Sequence, residues 1–307
     1  MNNLINSKLI ASILVTKFSF FILIVLAYHT LPFSDGSLRA NFSYSNETIT
    51  FLTAFKTWDG QHYHAISESG YLANHMSSAF YPLYPILISL TAPILNDNAV
   101  LAGIVISNVA SLIAYALLFA FFRKESDEET ALWGTLIMLS FPVAFYTNIL
   151  YSEAIFLLLA ASLFWSAANK HWLILFLSAL LLPLTRPQGL MLALPFAIYV
   201  WHSFNWKLKA SLFSPFAITG IFFALGFGLY LSILHWETGN ALSGFSAQQH
   251  FISGNSLSNL AHPTEWFKRN FIDNDLSIHG FTNSWLDRLF FIFLFFIVIY
   301  YRYETKK

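Results

Sequence analysis

Ala99–Phe122 reads AVLAGIVISNVASLIAYALLFAFF and runs straight into Arg123-Lys124. The stretch carries no charge, and a helix needs roughly 20 mainly apolar residues to cross the hydrocarbon core of a bilayer. The two bases at its end mark the side on which it stops, because short cytoplasmic loops gather Lys and Arg. One segment therefore predicts both a membrane span and its direction.

The rest of the chain has the same character. Its 307 residues are 56% hydrophobic and only 10% charged, where a soluble domain carries about 25% charge. Too little polar surface exists to cover a globule in water. Sixteen Lys and Arg balance sixteen Asp and Glu, so no basic field points to nucleic acid. The chain lacks cysteine, which excludes disulfides and thiol chemistry.

Further candidate spans are Leu9–Tyr28, Thr130–Asn148, Ser152–Ala168, His171–Leu184, Pro187–Trp201, Ser211–Leu234 and Arg288–Tyr301. No small-residue cleavage site follows the first, so it reads as a retained helix rather than a signal peptide. Phe80–Leu95 holds three prolines and is shorter than a span; it reads as an interfacial or re-entrant helix. Eight spans and a cytoplasmic N-terminus put Lys8, Arg123, Lys124, Lys170, Lys207, Lys209, Arg302, Lys306 and Lys307 inside. Making Phe80–Leu95 a ninth span would turn Arg123, Lys124, Lys207 and Lys209 outward. The expectation is an all-α, polytopic transmembrane bundle forming a single domain over 1–307. Its two outer loops cover about 29–79 and 235–287.

Chemistry-bearing residues gather on the outer side. Trp58-Asp59-Gly60 joins an interfacial aromatic, a carboxylate and a residue that lets a ligand approach the backbone. Asp59 could take a proton from an acceptor hydroxyl, or simply cap a helix starting near Gln61. His62, His64 and His75 invite a metal reading, but positions i and i+2 do not share a helix face; hydrogen bonding at the interface is the simpler role, and no metal is expected. Glu153 sits at a helix start, where the dipole favours an acid. Arg186 lies at the break Thr185-Arg186-Pro187, between apolar runs. Charges at such depth are usually paired or functional; a lipid phosphate or Glu153 would each serve as partner. Lys17, in mid-helix, poses a similar question. Gly239, Asn240, Gln248 and Gln249 suit sugar or phosphate binding. Asn46-Glu47-Thr48 would accept a glycan if the chain faced an endoplasmic reticulum lumen.

In order, five pieces resemble the GPI mannosyltransferase II (PIG-V-type) family and its bacterial relatives, within the GT-C class of membrane glycosyltransferases. Trp58-Asp59-Gly60-Gln61-His62-Tyr63 with Ser69-Gly70-Tyr71 is similar to W-D-x-x-x-Y…x-G-Y. Ala79–Pro85 resembles A-F-F-P-x-Y-P. Tyr151-Ser152-Glu153 resembles Y-[ST]-E, Thr185–Gly189 resembles T-R-x-x-G, and Gly239–Leu242 with Ala247-Gln248 resembles G-D-P-L…A-Q. Asn240 departs from this pattern, standing where the family often has Asp. Relatives usually continue through further spans beyond Tyr303, so a short or divergent member is expected.

The resemblance implies transfer of a sugar, typically mannose, from a polyprenyl-phosphate donor to an acceptor on the extracytoplasmic face. It implies Asp59 as the catalytic acid–base group and juxtamembrane helices in the first outer loop. Arg186, Glu153, Trp58, Tyr63, Tyr81, Tyr84 and Gln248 are then expected at the substrates. No nucleotide-binding loop stands out, in keeping with a lipid-linked donor and no cofactor. A bacterial inner membrane is expected, with the endoplasmic reticulum as the alternative. A lipid-linked-sugar transporter or flippase, or a noncatalytic membrane partner, are the competing classes.

Overall fold

The computed structural model describes residues 7–32, 34, 36, 50–248, 261–272, 277–278, 281–282, 289, 292–293, 296–297 and 300. They fall into two compact units, 1–243 and 244–307. The expected last span, Arg288–Tyr301, lies largely outside the described residues, and Asn46-Glu47-Thr48 lies wholly outside them.

The first unit is helical. Its helices are α1 (Ser7–Thr30), α2 (Asp59–Ser69), α3 (Leu83–Thr91), α4 (Ala99–Glu125), α5 (Glu128–Ser140), α6 (Glu153–Asn169), α7 (Trp172–Leu181), α8 (Pro187–Met191), α9 (Ala193–Ser203), α10 (Leu208–Leu212) and α11 (Ala217–Thr238). Short 3₁₀ turns join them at Leu52–Lys56, Met76–Ala79, Ala92–Leu95, Pro142–Asn148 and Leu182–Leu184. The single turn α12 (Ser243–Ala247) follows. The second unit has α13 (Pro263–Phe271) and a minimal antiparallel pair, β1 (Ser277–Ile278) with β2 (Phe281–Thr282). That pair is the described exception to an all-helical chain.

Among the described residues, three helices are long and apolar enough to cross a membrane: α1, α4 and α11. A fourth span results if α5 and Pro142–Asn148 count together, although they meet at 78°. Eight spans were expected; the last lies largely outside the described residues, and several of the others are interrupted. Pro142 breaks the run Thr130–Asn148. Pro183 and Pro187 cut the following apolar residues into α7, a 3₁₀ turn and α8, each shorter than a bilayer. Leu83–Leu95 is likewise too short to span, at about 20 Å for a helix of its length.

The caps follow from sequence. Asn98 accepts the Leu101 amide at 2.9 Å and starts α4, whose last turn holds Arg123 and Lys124. Asp127 accepts the Thr130 amide at 2.9 Å and starts α5. α4 packs along α6 and carries the unit: α1 and α5 lie against it on Leu9, Ile13, Tyr115 and Phe119. A second core joins α6, α7, α9 and α11 through Leu163, Leu175, Phe196 and Phe223. The outward faces stay apolar, as at Val15, Phe18, Val109 and Ile221. Aliphatic stripes of this length match lipid as solvent.

Candidate functional site

The chain enters α2 through a strained corner. Trp58, at the cap position, has φ 50° and ψ −122°, a region that L-residues rarely adopt. Holding such a residue costs on the order of 1–3 kcal/mol and points to function where surrounding contacts enforce it. Here they do. Gln61 Nε2 donates to the Trp58 carbonyl at 2.8 Å, and the Gly60 amide donates to the Thr57 carbonyl at 3.1 Å. A methyl added to Gly60 would sit 3.0 Å from the Leu150 carbonyl oxygen, so a side chain there would push α2 and that segment apart by a few tenths of an ångström. The Trp58 ring is exposed.

Asp59 is the first residue inside α2, not its cap, and the side chain at the cap position makes no capping bond. Its amide donates to Tyr151 Oη at 3.2 Å, and that hydroxyl donates onward to the Thr57 carbonyl at 3.4 Å. Burial pushes the Asp59 carboxyl up to about 6; the negative charge of Glu153 adds to this, and Arg186 opposes it. One electrostatic neighbourhood thus holds the three charges singled out in the sequence.

Glu153 opens α6 and pairs through Oε1 with Arg186 Nη1 at 3.0 Å. Its other oxygen, Oε2, is buried and has no hydrogen-bond partner among the described residues. A buried acceptor left in this way is costly unless a ligand or water donates to it. Arg186 sits in extended backbone between the 3₁₀ turn Leu182–Leu184 and α8. Its Nε donates to Gln188 Oε1 at 3.2 Å, and its guanidinium lies 5.8 Å from the Phe156 ring centre. That leaves donors of the five-donor guanidinium without a partner among the described residues. The turn is tight because Gly189 lies against Leu182: a methyl there would fall 1.9 Å from the Leu182 carbonyl oxygen.

The expected tyrosines divide by role. Tyr84 is fully buried, and its hydroxyl donates to the Gly103 carbonyl at 2.9 Å and meets Ser107 Oγ at 2.7 Å. Tyr63 is buried with its hydroxyl 2.7 Å from Ser152 Oγ. Both were expected to line a sugar site; instead their hydroxyls are committed to the frame that holds α2 and α3 on α4 and α6. Tyr81 stacks on Tyr230 of α11 with ring centres 4.3 Å apart. Gln248 falls in the second unit, whereas Asp59, Glu153 and Arg186 belong to the first.

The histidines have separate occupations. His62 stacks on Phe80 at 4.3 Å, and burial, helped by His75, lowers its pKa to about 4, so it is neutral near pH 7. His75 Nδ1 accepts the Ser77 amide at 3.1 Å. His64 lies 3.4 Å from Glu68, one turn on. Among the described residues, no group of three His, Asp or Glu gathers to hold a metal.

Two residues of the site were not singled out in the sequence. Tyr151 stood in the Tyr-Ser-Glu match, and its adjacency to Glu153 was the available signal. Tyr146, whose ring centre lies 4.8 Å from that of Tyr151, is within electrostatic reach of both Glu153 and Asp59; a lone tyrosine beside a proline break gives no sequence signal. Comparison with family models, with curated proteins and with solved structures finds no match.

Proposed function

We propose that the protein is a GT-C-type glycosyltransferase. It moves a sugar, mannose by the motif resemblance, from a polyprenyl-phosphate donor to an acceptor hydroxyl, with inversion. The observation that carries this reading is the Asp59 carboxyl, raised to about 6 beside the Glu153–Arg186 pair. A general base works best with a pKa near the operating pH, and a guanidinium with free donors suits a phosphate. The acceptor oxygen attacks the anomeric carbon and its proton passes to an Asp59 carboxylate oxygen. The bond from the anomeric carbon to the phosphate oxygen breaks, and the lipid phosphate leaves as an anion. Arg186 offsets the charge that grows there. Asp59 then returns its proton to water.

The accompanying topology has a cytoplasmic N-terminus and eight crossings, in which the proline-broken runs 130–148, 171–184 and 187–201 cross as interrupted helices, in a bacterial inner membrane, with Asp59, Glu153 and Arg186 facing outward. It rests on the distribution of Lys and Arg and on a non-spanning α3. The donor arrives in the outer leaflet, and Trp58 stands at its edge.

The test supplies labelled polyprenyl-phosphate mannose and membrane-extracted acceptors to purified wild type and Asp59→Asn. The reading requires product from wild type and a loss of about 10²-fold or more in the variant. Equal transfer by both removes Asp59 from the chemistry. Flux of the lipid-linked sugar across proteoliposomes without glycosidic product would instead make the protein a transporter.

A further inference from the structure

α1 buries one stripe, Leu9, Ile13 and Lys17, spaced one helical turn apart. The apolar pair packs on Tyr115 and Phe119 of α4. Lys17 is only 7% exposed, and its Nζ reaches three oxygens: Asn148 Oδ1 at 2.8 Å, Asn108 Oδ1 at 3.1 Å and the Thr147 carbonyl at 3.5 Å. An ammonium has three donors and no acceptor, so the set is complete. All three acceptors are neutral, which separates this site from an ion pair.

Two of these oxygens, on Thr147 and Asn148, belong to the C-terminal end of the 3₁₀ segment Pro142–Asn148, which leaves α5 at 78°; the third, on Asn108, belongs to α4. A helix end leaves its last backbone carbonyls without intrahelical donors, and these must find others. Ser111 Oγ also donates to the Thr147 carbonyl at 3.2 Å, and Asn108 Nδ2 donates to the Asn148 carbonyl at 3.1 Å. Asn148 Nδ2 closes the turn on Ala144 and Phe145 at 3.3 and 3.2 Å. α1 braces it further: Phe20 meets Phe145 edge-on at 4.9 Å, and Phe21 lies 6.3 Å from Phe55, just before Trp58.

The clamped end leads directly into the site. After Asn148 come Leu150, whose carbonyl crowds Gly60, then Tyr151, bonded to the Asp59 amide, then Ser152, bonded to Tyr63. Glu153 completes the run with its bond to Arg186. One pillar, 147–153, therefore sets where Asp59 and Glu153 stand, and its base is held by Lys17 from α1 together with Asn108 and Ser111 from α4.

We propose that Lys17 is a positioning residue for the Asp59 site. It acts by clamping the Thr147–Asn148 turn from which the pillar rises. The proposal rests on the transferase reading for its kinetic test and on geometry alone for a second one.

Lys17→Met keeps length and removes all three donors; Lys17→Arg keeps donors. With clamping, Lys17→Met lowers turnover about ten-fold or more at an unchanged donor KM, and Lys17→Arg recovers most of it, because misplacement of the base costs rate rather than binding. The second arm needs no activity. The chain has no cysteine, so Asp59→Cys gives one thiol, whose alkylation rate is read with and without Lys17→Met. A rate change of about three-fold or more supports the clamp. An unchanged alkylation rate together with near-wild-type turnover overturns it. If wild type itself transfers nothing, the function reading fails and the thiol arm alone decides the clamp. Should Lys17→Met not fold, Asn108→Leu removes one of the three acceptors and is read in the same two ways.

Discussion

Arg186 Nη1 stands 3.0 Å from Glu153 Oε1, and the two side chains are 25% and 24% exposed. The pair is neither a surface bridge nor a sealed one, so removing one partner leaves a half-buried charge. Arg186→Leu and Glu153→Gln should each destabilise the protein, and the double variant by less than their sum. The coupling expected from a cycle of thermal or denaturant unfolding is about 1–2 kcal/mol. Additive losses would mean that the ion pair contributes nothing in solution.

The same pair sets the pH dependence of Asp59. Glu153 raises the Asp59 carboxyl and Arg186 lowers it, both after burial, which raises it most. Transfer should therefore rise with pH through about 6 in wild type. The midpoint should move up in Arg186→Leu and down in Glu153→Gln. A pH–rate profile on each variant checks the two signs, and shifts in one common direction would detach Asp59 from the pair.

Stability carries the opposite sign to activity. An acid whose folded pKa, about 6, exceeds its ordinary value of 3.8 makes the ionised folded state costly. That cost vanishes well below pH 3.8, grows between 3.8 and about 6, and is complete above. Asp59→Asn should then stabilise the protein by about 2–3 kcal/mol near neutral pH and by only about 0.4 kcal/mol at pH 3.8, while losing activity. Unfolding in detergent at both pH values measures the difference. A variant less stable than wild type near neutral pH would show that Asp59 is held by contacts worth more than its desolvation.

How far the sequence carried these residues follows from where the signals lay. The α1, α4 and α11 spans are legible because uninterrupted apolar length is a local property. The breaks at Pro142 and Pro183 lay inside runs read as continuous, and proline effects are felt one turn earlier in the helix. Arg186 stood out as a charge between apolar runs, Asp59 by its place between Trp58 and Gly60, and Glu153 as an acid at a helix start, but their convergence depends on the pillar 147–153. One of its anchors, Lys17, is 131 residues from Asn148, and no pattern within α1 names that partner. Tyr63 and Tyr84 were visible as motif residues, yet only packing shows their hydroxyls spent on Ser152, Gly103 and Ser107.

Backbone proximity at Gly189 gives a sharp mutational contrast. A methyl there meets the Leu182 carbonyl oxygen at 1.9 Å, so Gly189→Ala must push α8 away from the preceding turn. The expected loss is about 3 kcal/mol, with donor affinity falling too, since Arg186 sits at the start of α8. Gly228, in α11, has nothing within 4 Å of the same added methyl. Gly228→Ala should be neutral or stabilising by up to about 1 kcal/mol. Comparable losses from both substitutions would show that the α8 contact is looser than 1.9 Å implies.

Tyr84 separates a framing hydroxyl from a substrate contact. Its hydroxyl is the only group that α3 sends to both Gly103 and Ser107 of α4 among the described residues, and the ring is fully buried. Tyr84→Phe keeps the ring against Tyr63, 5.3 Å away between centres, and deletes two bonds. Ser107 still reaches the Tyr151 carbonyl at 3.3 Å, so only the Gly103 carbonyl loses its side-chain donor. A loss of about 1 kcal/mol in stability is expected, with KM for donor and acceptor unchanged. A rise in KM without a loss of stability would return Tyr84 to the sugar. It would also require α3 to part from α4 when substrate binds, because no substrate atom reaches that hydroxyl in the packed arrangement.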